Sequence, residues 1–339
     1  MTHYHRINAP LFLLHTLILN ARHIIFCSIT NLKVKVMSSE NISELDIASP
    51  VSSSKKLLIV LAPWIFVFLW STGFVGAKFT VQYSEPFHLL FLRGLFSCLA
   101  FFILALLFKA KFPSVKGIAK QLVVGLFLHA LFLGGCFYSM HLGIPSGIVA
   151  LITGLQPILT AIVVSTLHRQ SLSIGKWIGI IIGFFGVYFV LSPGQQDFHL
   201  NALGLLCAIA GLVGVTVGAL YQKSSNSDGH VLSATFFQYV SLTVVMGIMS
   251  VLFEHTPVHW NIPFALGLTW LVLGVSVTAV LLLIFMIQSG ESTKVATYFY
   301  LVPVLTAAEA WALFGEPITT SMLIGMAMSI IGLLLVIRK

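Results

Sequence analysis

From residue 57 to the C-terminus, long apolar runs alternate with short polar turns. The runs fall near 57–77, 86–108, 120–141, 145–167, 174–192, 200–221, 231–253, 264–288, 293–314 and 320–337. A helix needs about 20 predominantly apolar residues to cross a bilayer, and each run is near that length. The pattern therefore predicts an all-α integral membrane protein with ten transmembrane helices. Residues 1–56 read differently. They are polar overall, and their run Leu11–Leu19 is too short to span. It has the positive start and apolar centre of a signal peptide, yet no small-residue cleavage site follows. Met37 opens MSSENISELDIASPVSSSKK, the composition of a flexible leader, so translation is expected to start there. A peptide from residues 1–36 in the intact protein would overturn that expectation.

The apolar pattern repeats itself. With a shift of 146 residues, Ser146–Thr160 lies under Ser292–Thr306 without a gap. Val149 falls on Val295, Ala150 on Ala296, Leu155 on Leu301, Pro157 on Pro303 and Thr160 on Thr306; Gly179/Gly325 and Gly186/Gly332 keep the register. Two units follow, 57–192 and 200–339, of five helices each. Five is odd, so the second unit enters the membrane upside down, and the expected architecture is a pair of inverted repeats. The fifth and tenth helices also share a stripe of small residues: Gly175, Gly179, Gly183 and Gly186 match Ser321, Gly325, Ser329 and Gly332. Such a stripe lets two backbones approach closely, within one chain or across a homodimer. A second stripe, Gly211, Gly214 and Gly218, is read the same way; near Gly218 it would equally suit a cavity wall.

Composition fixes the solvent. Charged residues are 8% and apolar residues 58% of 339, against roughly a quarter charged in a soluble domain. The net charge of +8 is then a matter of topology, and no nucleic-acid partner is implied. With the N-terminus inside, the cytoplasmic turns hold Lys109, Lys111, Lys116, Arg169, Lys176, Lys223 and Lys294, and the C-terminus holds Arg338 and Lys339. The other side has Lys78 with Glu85, Asp197, Glu254 and Glu316. Both termini are therefore expected in the cytoplasm. Of the four cysteines, Cys98, Cys136 and Cys207 lie in apolar runs without metal spacing, as small core residues. His255 and His259 flank Pro257, which argues against a helix presenting both to a metal. No nucleophile elbow, zinc-protease, phosphate-loop or dinucleotide signature occurs, so no enzyme, cofactor or ATP-driven pump is expected.

Candidate chemistry lies where polarity interrupts the apolar runs. A charge at the centre of a spanning helix costs about 2.5–3.5 kcal/mol even on lenient scales, so Glu309, Arg93 and Lys294 stand out. Glu309 suits proton coupling or a counter-charge, against the plainer reading of an interfacial residue bonded to a neighbouring helix. Arg93 suits snorkelling or a pair with Glu85 or Glu309. Pro157 and Pro303 each free a carbonyl one turn earlier, a defect tolerated only beside protein or a wet cavity, and both are candidate hinges. Around them lie the candidate cavity residues Thr153, Gln156, Tyr298 and Tyr300, with Trp70, Ser71 and Thr72 from the first run and Tyr138 from the third. His129, Gln238 and Tyr239 also break apolar runs. Aromatic walls with sparse polar groups are what a pocket for a small amphipathic solute needs.

The segments LWSTGFVGAKF, EPFHLLFLRG and LVPVLTAAEAWALFGEPIT, with IGMAMSIIGLLLV after them, resemble the EamA-like branch of the drug/metabolite transporter superfamily. The resemblance covers about residues 57–339, and Pro303–Glu316 carries it most strongly. It implies two inverted five-helix repeats around a central cavity and export or exchange of small metabolites such as amino acids, bases or drugs. It also implies that Trp70, Tyr138, Gln156, Pro157, Tyr298, Pro303 and Glu309 sit where cavity residues lie. The first repeat has Arg169-Gln170 where the second has Gly315-Glu316, and an outer-turn position makes Glu316 a loop or capping residue. The expectation is a bacterial inner-membrane secondary exporter working by alternating access. The rivals are a nucleotide-sugar or organic-phosphate exchanger, which needs a more cationic cavity, and a non-transporting scaffold or sensor.

Overall fold

In the structure, a computed structural model, residues 53–167, 172–191, 201–225, 229–288 and 299–337 are described. The chain divides into two units, Met1–Leu61 and Ala62–Lys339. Of the first, the described part is residues 53–61, the opening turns of a helix. The leader with Met37 lies outside the described residues, as do Arg169-Gln170, Tyr298 and Lys294.

Every regular element among the described residues is helical. In chain order they are α1 (Ser53–Thr80), α2 (Pro86–Leu107), α3 (Val115–His141), α4 (Ser146–Leu167), α5 (Ile174–Leu191), α6 (Ala202–Ser224), α7 (Val231–Phe253), α8 (Ile262–Met286), α9 (Val302–Phe314) and α10 (Thr320–Ile337). Seven, α1–α4 and α6–α8, are long and apolar enough to cross a membrane. The apolar stretches of the other three are shorter: Ile174–Phe189, Val302–Phe314 and Thr320–Val336. The helices are apolar on their outer faces too. On α2, Leu95, Leu99, Ile103 and Leu106 form one exposed stripe, while Leu89, Leu90, Phe101 and Ala105 are buried on the opposite face. An apolar outer face of that extent belongs in hydrocarbon.

The ends follow local chemistry. Helix α3 starts at Val115, earlier than the apolar run at 120 suggested, because Ser114 caps it: its Oγ accepts the Gly117 amide at 3.2 Å. The lysines in those first turns hid the helix from a hydrophobic reading. Asn201 and Asn261 cap α6 and α8 in the same way. Helix α9 stops at Gly315, which adopts φ +66°, while the Gly315 and Glu316 amides return to the carbonyls of Trp311 and Ala310. A left-handed cap of this kind favours glycine. Gly315→Ala is expected to lower stability by about 1 kcal/mol, read as a modest fall in melting temperature in detergent; an unchanged value would show that the cap is not strained.

The packing pairs helices five apart, or exchanges two such pairs. Helix α2 lies on α7, with Gly94 against Thr243 and Gly247 against Phe91. Helix α4 lies on α9, with Gly147 against Ala307, and α5 lies on α10, with Gly179 against Gly332. The remaining pairs are α1–α8 (Gly73 against Val275) and α3–α6 (Gly135 against Cys207), and a shift of five helices turns one into the other. The small-residue stripe of α5 and α10 is thus used within the chain. The Gly211, Gly214 and Gly218 stripe closes on Phe132, Phe127 and Leu128 of α3, so it packs helices and does not line the cavity.

Irregularities repeat with the same register. A π-helical segment interrupts α3 at Leu126–Leu131 and α8 at Trp270–Ala279, and a shift of 146 carries the first into the second. Helix α4 breaks at Leu155, between the helical pieces Ser146–Gly154 and Gln156–Leu167. The equivalent Leu301 ends a 3-10 turn, Phe299–Leu301, before α9. Pro157 and Pro303 sit just after these breaks, where a missing amide removes an α-helical bond.

Candidate functional site

The two broken helices meet beside a central cavity of about 430 Å³. Gly154 of α4 faces the Pro303 ring of α9, where a Cβ would come within 3.2 Å of its Cγ. Thr153, Gln156 and Pro157 line the cavity from one side and Val302 and Pro303 from the other. Trp70 and Phe299 form an aromatic wall, edge to face with ring centroids 5.3 Å apart, and Phe66 packs behind both. Thr153 turns its hydroxyl back to the carbonyls of Val149 and Ala150, so Gln156 is the freer polar group on α4.

The far wall is polar and comes from α2, α3, α7 and α8. The Arg93 side chain is buried, its Nε donating to Ser276 Oγ at 3.0 Å. The Tyr239 ring lies between Phe101 and His129 at centroid distances of 5.5 and 4.6 Å. His129 Nε2 is 3.2 Å from Gln238 Oε1, and Gln238 Nε2 donates to Gln121 Oε1 at 2.7 Å. Buried polar groups satisfied across four helices hold one arrangement. His129, Gln238, Tyr239 and Arg93 all line the cavity. Gln121, Ser276 and Phe299 escaped the sequence reading, because nothing local marks which polar or aromatic residue of a spanning helix faces another.

Other sequence candidates lie off the cavity walls. The Ser71 hydroxyl is 2.6 Å from Glu309 Oε1 and also bonds the Phe68 carbonyl. This joins α1 to α9, one residue beyond Trp70. The second carboxylate oxygen of Glu309, Oε2, is buried with no hydrogen-bond partner among the described residues. Thr72 Oγ1 donates to the Leu69 carbonyl and accepts from Trp270 Nε1 at 3.1 Å. Tyr138 stacks on Phe87 at 5.2 Å, beside the first turn of α2. The Tyr300 side chain lies outside the described residues. Arg93 meets neither Glu85 nor Glu309, because α2 turns it towards α8.

Polar links between loops join the helix ends on one side. Glu254, after α7, accepts the Phe87 and His88 amides at 2.7 and 2.6 Å. Glu85, before α2, accepts the Thr256 amide at 3.1 Å, and the His259 amide reaches the Tyr83 carbonyl. Glu316 lies 3.7 Å from Lys78 and accepts the Ser146 hydroxyl at 3.4 Å, so it ties α1, α4 and α9 together. Burial holds the Glu254 carboxyl above the usual carboxylate range, against the lowering effect of its two amide donors. The bond to Thr256 holds Glu85 below that range. Away from this end the cavity reaches Gln222 and Val231, in the last turn of α6 and the first of α7. His255 and His259 lie in a loop, and no metal-holding cluster occurs among the described residues.

A helical chain in two matched halves, apolar on its outside and enclosing a sparsely polar cavity, is an integral multi-pass membrane protein of transporter type. The chain belongs to the EamA-like transporter family, whose pattern matches residues 57–192 and again 202–338. It is 26% identical to the uncharacterized transporter YvbV of Bacillus subtilis over 274 residues, 80% of this chain and 89% of that one. An uncharacterized transporter of Archaeoglobus fulgidus is 24% identical over 300 residues, covering 84% and 99%. The uncharacterized inner membrane transporter YedA of Escherichia coli K12 is 21% identical over 251 residues, covering 74% and 81%. A crystal structure shares the fold at a TM-score of 0.55 and 16% identity, covering 82% of this chain and 96% of that one.

Proposed function

We propose that this chain is a secondary transporter of the inner membrane that exports a small amphipathic solute by alternating access. In this reading ten helices cross the bilayer as two inverted five-helix repeats, with both termini in the cytoplasm. The observation that carries it is the cavity at the meeting of two matched helix breaks; in this reading the Glu85, Glu254 and Glu316 links close one end of it. Lysine and arginine topology makes the closed end external, so the conformation is the inward-facing one. The exchange of pairs α1–α8 and α3–α6 supports the mechanism. Two packings related by the repeat operation are near-equivalent in energy, and rocking between them would move the opening from one side to the other. Pro157 and Pro303 are the proposed hinges, lying where α4 and α9 lack a continuous hydrogen-bond ladder.

Glu309 is proposed to couple transport to protons. Its bond to Ser71 joins α1 to α9 beside the cavity wall, so a change in its charge would alter how those helices pack. The experiment compares spent medium from cells expressing the chain from Met37, the Glu309→Gln variant and an empty vector. Vesicle flux of the enriched solute is then measured across a pH gradient. A solute enriched by the wild type is expected, with the variant folded but without pH-dependent flux. Wild-type flux and pH dependence in Glu309→Gln would remove it from the mechanism. The absence of any solute difference, in medium and in vesicle uptake alike, would remove the transporter reading.

A further inference from the structure

The four acidic residues of the described part are Glu85, Glu254, Glu309 and Glu316, and none pairs with Arg93. Arg93 is nevertheless 3% exposed and lines the cavity. A guanidinium stays charged in proteins, and a buried charge without a counter-charge is unfavourable. Among the described residues, its surroundings hold it in place without neutralising it. Ser276 Oγ accepts the hydrogen bond from Nε, and the Phe137 ring lies 5.7 Å from the guanidinium carbon, at cation–π distance. Arg93 lines the cavity, and the Nη edge of its planar fork has a geometry that suits two oxygens of one carboxylate. The rest of the cavity wall is mostly aromatic and aliphatic, with Trp70, Phe74, Phe132 and Phe299 among the largest side chains, and a volume of about 430 Å³ is within the range of small-molecule sites.

We propose that Arg93 anchors the carboxylate of the transported solute, and that this solute is a small carboxylate with an aromatic or branched aliphatic body. The inference rests on the reading of the cavity as the transport site. One fixed positive charge matches one negative charge. A phosphate dianion or a nucleotide would bring more negative charge than the described cavity wall can answer, whereas a carboxylate, with or without an amino group, leaves the site balanced. Gln156 and Gln222 supply neutral donors and acceptors on other walls, which suits the polar remainder of such a molecule.

The test uses the full chain in detergent, with 3-phenylpropanoate and 4-methylpentanoate as probes, each set against its own neutral amide by titration calorimetry. Each carboxylate is expected to bind the wild type at least about ten-fold more tightly than its amide, the size of effect a charge-assisted pair gives. In Arg93→Gln that preference is expected to vanish, and Arg93→Lys should keep part of it. The wild-type comparison stands even if a variant fails to fold. Wild-type protein that binds neither carboxylate more tightly than its amide overturns the proposal. Proteoliposome flux separates this result from the transporter reading. Carboxylate-selective binding without flux supports the anchor and sinks transport. Flux of a solute that excess carboxylate does not inhibit sinks the anchor and leaves transport standing.

Discussion

Replacing Gly179 with leucine should prevent the protein from accumulating as a folded species, whereas the same change at Gly175, one turn away on the same stripe, should be nearly silent. A Cβ at Gly179 would lie 2.5 Å from the Gly332 carbonyl oxygen and 2.8 Å from Leu335 Cβ; at Gly175 nothing lies within 4 Å. The first obstacle is backbone, so no rotamer change relieves it and the helices must separate. The facing position leaves no room for such a shift, since a Cβ on Gly332 would meet the Gly179 oxygen and the Gly183 nitrogen at 2.5 Å each. Overpacking by a few atoms costs about 1–3 kcal/mol in a well-packed core, and a whole leucine against backbone exceeds that. The loss falls on a net stability of only about 5–15 kcal/mol. Gly175→Leu changes an exposed site and is expected within about 0.5 kcal/mol of wild type. Size-exclusion profiles and thermal melts of the two variants in one detergent provide the comparison. Equal yield and equal melting temperature would mean that α5 and α10 do not pack as described.

Those glycines show which features the sequence carries on its face. The 146-residue register, the small-residue stripes and the proline breaks are written as residue identities, so they need no partner to be seen. The stripe showed that two backbones approach; the structure adds which two, within one chain. Burial of the cavity groups depends instead on rotation about each helix axis. In an almost uniformly apolar helix the hydrophobic pattern barely constrains that rotation. So Trp70, Thr153, Gln156, Pro157 and Pro303 lie on the wall, while Ser71, Thr72 and Tyr138, chosen on the same grounds, face other helices. The π segments of α3 and α8 leave no mark either. They contain His129 and Ser276, and only their recurrence at equivalent positions ties them to the repeat. Arg93 was conspicuous as a charge, yet its partner, a serine 183 residues away, is recognisable only in three dimensions.

The same limit hid the exchange of caps at the closed end, which sets the second large effect. Glu85 occupies the N-cap position of α2 and makes no side-chain cap bond there. It reaches Thr256 instead, and Glu254, which follows α7, satisfies the first turn of α2. The opposite end of the α2–α7 pair has a related device, where the Lys111 carbonyl accepts the His230 amide and the Ser233 hydroxyl from the start of α7. If the outer end opens during transport, the Glu254 bonds must break. Glu254→Ala removes two charge-assisted bonds that are partly screened by solvent, together about 2 kcal/mol, and should move the conformational equilibrium roughly thirty-fold towards outward opening. Cys136, which lines the cavity, reports this: a small charged thiol reagent added outside should label it faster in Glu254→Ala than in wild type, with Cys27, Cys98 and Cys207 replaced. The direction with pH follows from the two carboxyls. Burial raises Glu254 in the closed state, so closure gains from its protonation and loses that gain as pH rises through the raised value. Glu85 is lowered by Thr256, and to a lesser degree by His141 and His255, so its contribution disappears as pH falls through the lowered value. Closure should therefore be firmest near the ordinary carboxylate range and weaken on either side. Glu254→Gln imitates the protonated form and should stay closed while losing the alkaline limb. External labelling of Cys136 that is the same in wild type, Glu254→Ala and Glu254→Gln, at every pH, would show that the gate lies elsewhere.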